Sequence, residues 1–329
     1  MKLRNIEFGP VLNASGARGF FEGYRYHNWF KLLGLNFDGC TFVAKTTTLE
    51  KKEGNMPLRK DGITPRDWLP KCIKIYPLGG GGMILNAVGL SGPGAEALFE
   101  DGRWQERRDP FFISFMPIAD TAQARINELK SFVEMFDGYL LEFNAEVGLQ
   151  INCSCPNADL DENELVDEVI KWLPIAGQLD VPLMPKFSIV TSVEAVKEIC
   201  DSSYCDAICV SNTIPWGKLP DKVDWVGLFG TNVSPLAQFK GGGLSGRPLF
   251  GPLVDWVFEA RKAGIKKPIN AGGGIMDANN VNMLSHVIDD KNSSVFVGSV
   301  AILGPWRIKE IIKRAHQIFG KEECDGRRS

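Results

Sequence analysis

Short apolar or β-branched runs recur along the chain, and most of them end in small or polar residues. Eight stand out: PVLNASG from Pro10, TFVAKT from Thr41, FFISFM from Phe111, LQINCS from Leu149, LMPKFS from Leu183, AICVSN from Ala207, PINAGG from Pro268 and SVFVGS from Ser294. From the fourth run onward, segments with a 3.6-residue period separate them, namely ENELVDEVIKWLPIAG, SVEAVKEICDS, PLVDWVFEARKAG and ANNVNMLSHVIDD. Strands alternating with helices predict the α/β class, here a (β/α)8 TIM barrel with extended loops at the C-terminal face of its strands. The reading is a single domain over residues 1–320 and a polar tail over 321–329.

The rhythm breaks twice. Residues 59–86 carry no clear helical period and end in GGGGMILN, and residues 212–246 are rich in Gly, Pro and Trp. Connections of this length in a compact domain are characteristic of binding loops and lids. The second break contains a GxGxxG match at Gly241, Gly243 and Gly246. No strand pattern precedes it and it falls late in the chain, so it is not read as a dinucleotide fingerprint.

In a barrel of this kind the reactive groups stand at the C-terminal ends of the strands. The unusual residues fall there: Lys45 ends the second run, NCSCPN from Asn152 to Asn157 the fourth, Lys186 the fifth, Asn212 and Thr213 the sixth. A lysine at an apolar strand end must be paired or placed against a ligand, because a lone buried ammonium is costly. The seventh run ends in Gly272, Gly273 and Gly274 and the eighth in Gly298 and Ser299. Glycines after strands seven and eight let backbone amides close on oxygens, which points to a phosphorylated ligand.

Composition removes several alternatives. With 329 residues, 44% hydrophobic content and a formal net charge of -3, the chain gives no reason to expect nucleic acid or an anionic membrane as partner. Its eight cysteines are scattered and the start, MKLRNIEFGPVL, lacks the apolar core of a secretory leader. That favours reduced thiols and a cytoplasmic location. No histidine lies near the closest cysteine pairs, so no metal is expected.

Taken in order, these segments resemble the dihydroorotate dehydrogenases of the soluble, cysteine-base (class 1) type, from about Pro10 to Leu303. AKTTTLEKKEGNMPLR from Ala44 resembles the family's lysine-bearing second strand and loop. GMILNAVGLSGPG from Gly82 is similar to its substrate segment, and NCSCPN to the signature around the catalytic residue. VSNT from Val210 resembles the sixth-strand site, while GGLSG from Gly242 and GGGI from Gly272 resemble the flavin phosphate side.

The resemblance implies oxidation of dihydroorotate to orotate in pyrimidine synthesis with FMN as cofactor. It makes Cys155 the catalytic base, removing the C5 proton while hydride leaves C6 for flavin N5. Lys45, Asn86, Val88, Gly89, Leu90, Asn152, Asn157, Asn212 and Thr213 would hold the substrate. Asparagine suits such a ring because its carboxamide offers a donor and an acceptor together, matching an imide edge. The flavin would contact Ala14, Ser15, Gly16, Lys45, Thr46, Ser114, Asn152, Lys186, Ser211, Gly246, Gly273, Gly274, Gly298 and Ser299. A homodimer is implied, with no nucleic acid and no membrane. NAVGLSGPG and GGGLSG resemble the NAD-linked form, which works through a separate iron–sulfur flavoprotein subunit, whereas TLEKKEGN resembles the fumarate-linked form, so the resemblance leaves both electron acceptors open.

The sequence also departs from the family pattern, with Ser114 and Gly92 where asparagine is common and Lys52 at an arginine position. Two rival flavoenzymes share parts of the pattern. A dihydropyrimidine dehydrogenase-like domain acting on uracil or thymine commonly has histidine after SCP, where this chain has Asn157. A tRNA-dihydrouridine synthase type calls for a basic RNA-binding surface.

Overall fold

The computed structural model describes residues 1–77, 81–153, 162–288 and 290–320. Cys155, Asn157 and the tail expected over 321–329 lie outside the described residues. Among those described, the chain opens with an antiparallel pair, β1 (Lys2–Leu3) and β2 (Ile6–Glu7), followed by β3 (Val11–Asn13), β4 (Ile73–Tyr76) and β5 (Met83–Asn86). Then come β6 (Phe111–Phe115), β7 (Val147–Ile151), β8 (Lys186–Ser188), β9 (Ile208–Asn212), β10 (Ile214–Pro215), β11 (Gly243–Gly246), β12 (Ile269–Ala271) and β13 (Ser294–Val297).

A five-stranded parallel sheet runs in the order β3-β13-β12-β9-β8, and β6 pairs with β7 in parallel. Parallel bridges join these pieces: Leu12 to Thr41, Val43 to Phe112, Thr47 to Phe115, Leu149 to Leu183 and Asn152 to Lys186. The pairing path therefore passes through all eight expected strand positions and returns to β3, the circuit of an eight-stranded parallel barrel. The second position differs from expectation, since residues 41–47 make isolated bridges and no continuous ladder. Part of the reason is local: the amide of Lys45 is diverted to the carbonyl of Gly19, 2.8 Å away.

Alternation along the strands separates two cores. Val11, Phe42, Phe111, Leu149, Phe187, Val210, Ala271 and Val297 pack outward under the helices, while Leu12, Val43, Phe112, Met184, Cys209 and Phe296 converge in an inner cluster with Met1, Leu3 and Phe8. Two inner positions are glycine for lack of room. A Cβ on Gly148 would stand 2.4 Å from the Phe112 ring, and one on Gly272 would stand 2.5 Å from that of Phe296. Large rings beside missing side chains fill the inside of the barrel, and each fully buried phenylalanine contributes about 1.5–3 kcal/mol.

The expected helices form as Glu162–Ala176, Val193–Cys200, Phe250–Lys262 and Ala278–Ile288. Helix Ala122–Tyr139 was not legible from periodicity, because a charged residue, Arg125, shares its buried face with Leu129, Phe132, Val133 and Phe136. The guanidinium is satisfied by Glu168 of the next helix, whose Oε2 accepts from Nε at 2.8 Å. Thr121 starts this helix, its hydroxyl accepting from the amide of Ala124 at 3.2 Å. Among the described residues, no helix is long and apolar enough to cross a membrane.

Both breaks in the rhythm meet in one place. Each supplies two strands to an antiparallel sheet of order β10-β11-β5-β4, with Asn86 opposite Gly243 and Met83 opposite Gly246. The second and third glycines of the GxGxxG match are thus the ends of an antiparallel strand, and no parallel strand leads into it.

Candidate active site

The inner faces of the strands carry the site. Two residues beyond each apolar inner position, on the same face by the period of a strand, stand Ala14 after Leu12, Lys45 after Val43, Ser114 after Phe112 and Lys186 after Met184. Ser211 follows Cys209 and Gly298 follows Phe296 in the same way. The polar groups therefore rest directly on the packed interior of the barrel.

Hydroxyls link four of these strand ends. Lys186 Nζ donates to Ser15 Oγ at 3.1 Å, and Thr46 Oγ1 donates to the same oxygen at 3.3 Å. Thr46 Oγ1 lies 2.9 Å from Ser114 Oγ. A threonine hydroxyl has one proton, already given to Ser15, so Ser114 is the donor in that second bond. The network ends in donors: the Ser15 proton and two further ammonium protons of Lys186 have no acceptor among the described residues. An electron-rich edge with acceptor atoms is what such an arrangement complements.

Lys45 and Lys186 are 7% and 5% exposed. Neither enters an ion pair among the described residues. Burial brings the Lys45 pKa down to about 7, and burial likewise lowers that of Lys186, opposed by the nearby Cys209. Lys45 Nζ donates to the carbonyl of Ser91 at 2.6 Å and stands 4.5 Å over the ring of Phe20. Neither Phe20 nor Ser91 was found from sequence, because no motif or period marks a ring or a carbonyl that meets a lysine across separate loops.

A stability consequence follows from Lys45. The unfolded lysine keeps its proton to about 10.5 and the folded one only to about 7, so between these values the unfolded state binds more protons and stability rises with pH. Relative to a Lys45→Met variant, the wild-type ligand-free protein should gain stability as pH climbs through that window and be at its relative minimum below about 7. Thermal unfolding of both proteins across pH measures this, and a constant difference would contradict it.

The amide-bearing residues form a second group. Asn152 follows β7, its amide donating to the carbonyl of Phe115 at 2.8 Å. Its Oδ1 accepts from Asn212 Nδ2 at 3.2 Å, and Asn212 Oδ1 accepts from the amide of Thr213 at 2.8 Å. Asn86, at the end of β5, donates to the carbonyl of Gly243 at 3.4 Å. A Cβ on Gly243 would meet the Thr213 hydroxyl, so Asn86 and Thr213 flank the same strand end. Val88, Gly89 and Leu90 form the turn beyond, where Asn55 donates from its amide to the Val88 carbonyl at 2.9 Å and the Ser91 hydroxyl donates to it at 3.1 Å. The loop after the second strand and the segment after β5 are thereby held together.

The expected phosphate glycines also converge. Gly246 and Gly274 have φ of +97° and +78°, and a Cβ on Gly274 would stand 2.8 Å from the carbonyl oxygen of Gly246. Gly273 lies over Ser211, whose amide donates to the Gly272 carbonyl at 2.7 Å. A Cβ on Gly298 would stand 3.1 Å from that of Ala14. Ser299 follows Gly298, and a Cβ on Gly16 would stand 3.9 Å from the Lys45 side chain. The structure thus brings every described residue of the expected set to this end of the barrel, and Cys155 and Asn157 lie outside the described residues.

Three curated proteins similar over nearly the whole chain carry the same name. The catalytic subunit of dihydroorotate dehydrogenase B (NAD(+)) from Thermodesulfovibrio yellowstonii is 29% identical over 333 residues, covering 98% of this chain and 94% of the relative. The same subunit from Bacillus pumilus is 26% identical, covering 97% and 92%, and that from Petrotoga mobilis 26%, covering 98% and 94%. The chain is thus a homologue of dihydroorotate dehydrogenase B catalytic subunits. No family profile matches it. The correspondence with these dehydrogenase subunits extends through both irregular segments, so the antiparallel sheet lies within the shared length.

Proposed function

We propose that this chain catalyses the FMN-dependent oxidation of dihydroorotate to orotate in pyrimidine biosynthesis, in the cytoplasm, as the catalytic chain of a larger enzyme. The observation that carries the reading is the convergence on one face of a donor-directed hydroxyl network, an asparagine cluster and a glycine cradle, in a homologue of dihydroorotate dehydrogenases.

The residues fit the cofactor. A Cβ at Gly274 would fill the space beside the Gly246 carbonyl, so this cradle admits only backbone and suits a phosphate, with Gly273, Gly298 and Ser299 beside it. Ser15, Thr46, Ser114 and Lys186 present protons to an acceptor-rich ring edge, and Ala14, Gly16 and Ser211 line the same end. When bound, FMN supplies the acceptor for the hydride that leaves C6.

The chain's own residues do the rest. Asn86, Asn152, Asn157, Asn212 and Thr213 hold the substrate ring through its imide edge, and Lys45 with the 88–90 turn holds the carboxylate side. Cys155, as thiolate, removes the C5 proton, and the loss of that proton with the C6 hydride leaves the C5–C6 double bond of orotate. The buried lysines supply positive charge where negative charge develops.

The relatives are named catalytic subunits, which supports a second, electron-transferring flavoprotein subunit as partner, with the catalytic chain itself a homodimer. The test is an anaerobic absorbance titration of the purified yellow protein with dihydroorotate and then dihydrouracil. Bleaching by dihydroorotate alone is the expected result, and a flavin that stays oxidised with it, or bleaches with dihydrouracil, would overturn the proposal.

A further inference from the structure

Phe20, in the loop after β3, touches two parts of the site at once. Its buried ring lies under Lys45 Nζ, 4.5 Å from ammonium to centroid. The ring Cζ also lies 2.7 Å from where a Cβ on Gly92 would stand. The backbones around it are fixed. Trp104 Nε1 donates to the Phe20 carbonyl at 2.6 Å, and the Lys45 amide to that of Gly19 at 2.8 Å. Gly92 is held by paired amide–carbonyl bonds with Lys52 at 3.0 and 2.8 Å. The ring is wedged between the lysine and the segment after β5, and only glycine at 92 leaves room for it.

The company of the ammonium decides what it can bind. Lys45 has a carbonyl, that of Ser91, and the face of Phe20, with no carboxylate in an ion pair among the described residues. A carboxylate there would neutralise the charge. A carbonyl and a ring face stabilise the protonated form of a buried lysine without neutralising its charge, so the ammonium form is open to an incoming anion.

We infer that Phe20 is a positioning and specificity-determining residue, one that holds Lys45 charged so that the site selects a ring bearing a carboxylate over the same ring without it. The inference rests on the proposed dihydroorotate reading for the identity of the ring. Gly92 is the complementary half of the device, since any side chain there displaces the phenyl ring. Burial lowers the Lys45 titration and no charged side chain acts on it among the described residues. The neighbours its ammonium does have are the Ser91 carbonyl and the Phe20 ring, and in this assignment they favour the protonated form.

The test uses the flavin-loaded protein and compares the wild type with Phe20→Leu, Phe20→Tyr and Gly92→Ala. Affinities for orotate and for uracil are read from the perturbation of flavin absorbance on both sides of neutral pH. Phe20→Leu should weaken orotate about tenfold and leave uracil unchanged, and should lower the pH midpoint of orotate binding by about one unit. Phe20→Tyr should restore both values, and Gly92→Ala should imitate Phe20→Leu. Equal losses for orotate and uracil, or an unmoved midpoint, would overturn the assignment. Competitive acetylation of Lys45 against pH, read by peptide mass spectrometry, reports its titration without any substrate. Should dihydroorotate leave the wild-type flavin oxidised, the proposed reaction fails, while a lowered acetylation midpoint in Phe20→Leu still supports the role of Phe20 and an unmoved one refutes it.

Discussion

Cys155→Ala should retain its flavin and lose about a hundredfold to ten-thousandfold in the rate at which dihydroorotate reduces it, the range spanned by a positioned proton-transfer group. The neighbouring cysteine provides the control. Cys153 is buried, its Sγ donates to the carbonyl of Ile151 at 3.4 Å, and burial drives its thiol far above the ordinary range. A thiol held in that way is a poor base at neutral pH. Its amide is also committed, donating to the Lys186 carbonyl at 2.9 Å. Cys153→Ala should therefore reduce its flavin at a near-normal rate. Single-turnover stopped-flow measurements on the two variants check the assignment, and equal losses in both, or a near-normal rate in Cys155→Ala, would remove Cys155 from its role.

Lys186→Met keeps most of the side-chain volume and removes the charge. Hydrogen bonds to charged groups contribute about 1.5–3 kcal/mol, so flavin retention should weaken about tenfold to a hundredfold. The reduction potential of the flavin that remains should fall, since a cation favours the negative charge that reduction adds. The flavin-free protein should respond in the opposite sense. Burial disfavours the ammonium of Lys186, and its hydrogen bond among the described residues is to a neutral hydroxyl, that of Ser15. The methionine variant should thus unfold at the same temperature as the wild type or higher. Flavin release on dilution, a spectroelectrochemical titration and thermal unfolding of the apoprotein measure the three effects. An unchanged potential with full occupancy would count against the lysine.

Much of this arrangement was legible because the sequence writes period-two patterns ending in unusual groups. An apolar run that stops at lysine, asparagine or glycine places the polar group on a known face of a known strand, and Lys45, Asn152, Lys186 and Asn212 were located in that way. The antiparallel sheet escaped because β4 and β5 lie in a segment whose glycines obscure any alternation, and because pairing such as that of Asn86 with Gly243 leaves no local mark. Helix Ala122–Tyr139 escaped because its charged inner residue is compensated by Glu168 on another helix. The contact of Phe20 with Lys45 is likewise a property of two loops brought together by the barrel.

One short strand sets a distance. β11 begins at Gly243, beside Asn86 and Thr213, and ends at Gly246, beside Gly274, so its four residues measure out about 10 Å from the proposed ring clamp to the proposed phosphate cradle. Adding or deleting a residue inside it would misplace one end against the other, whereas the connection over residues 216–242 joins the sheet from outside that span. Diversification of substrate scope, by evolution or in the laboratory, should therefore accumulate as length changes in that connection and leave the length of GLSG untouched.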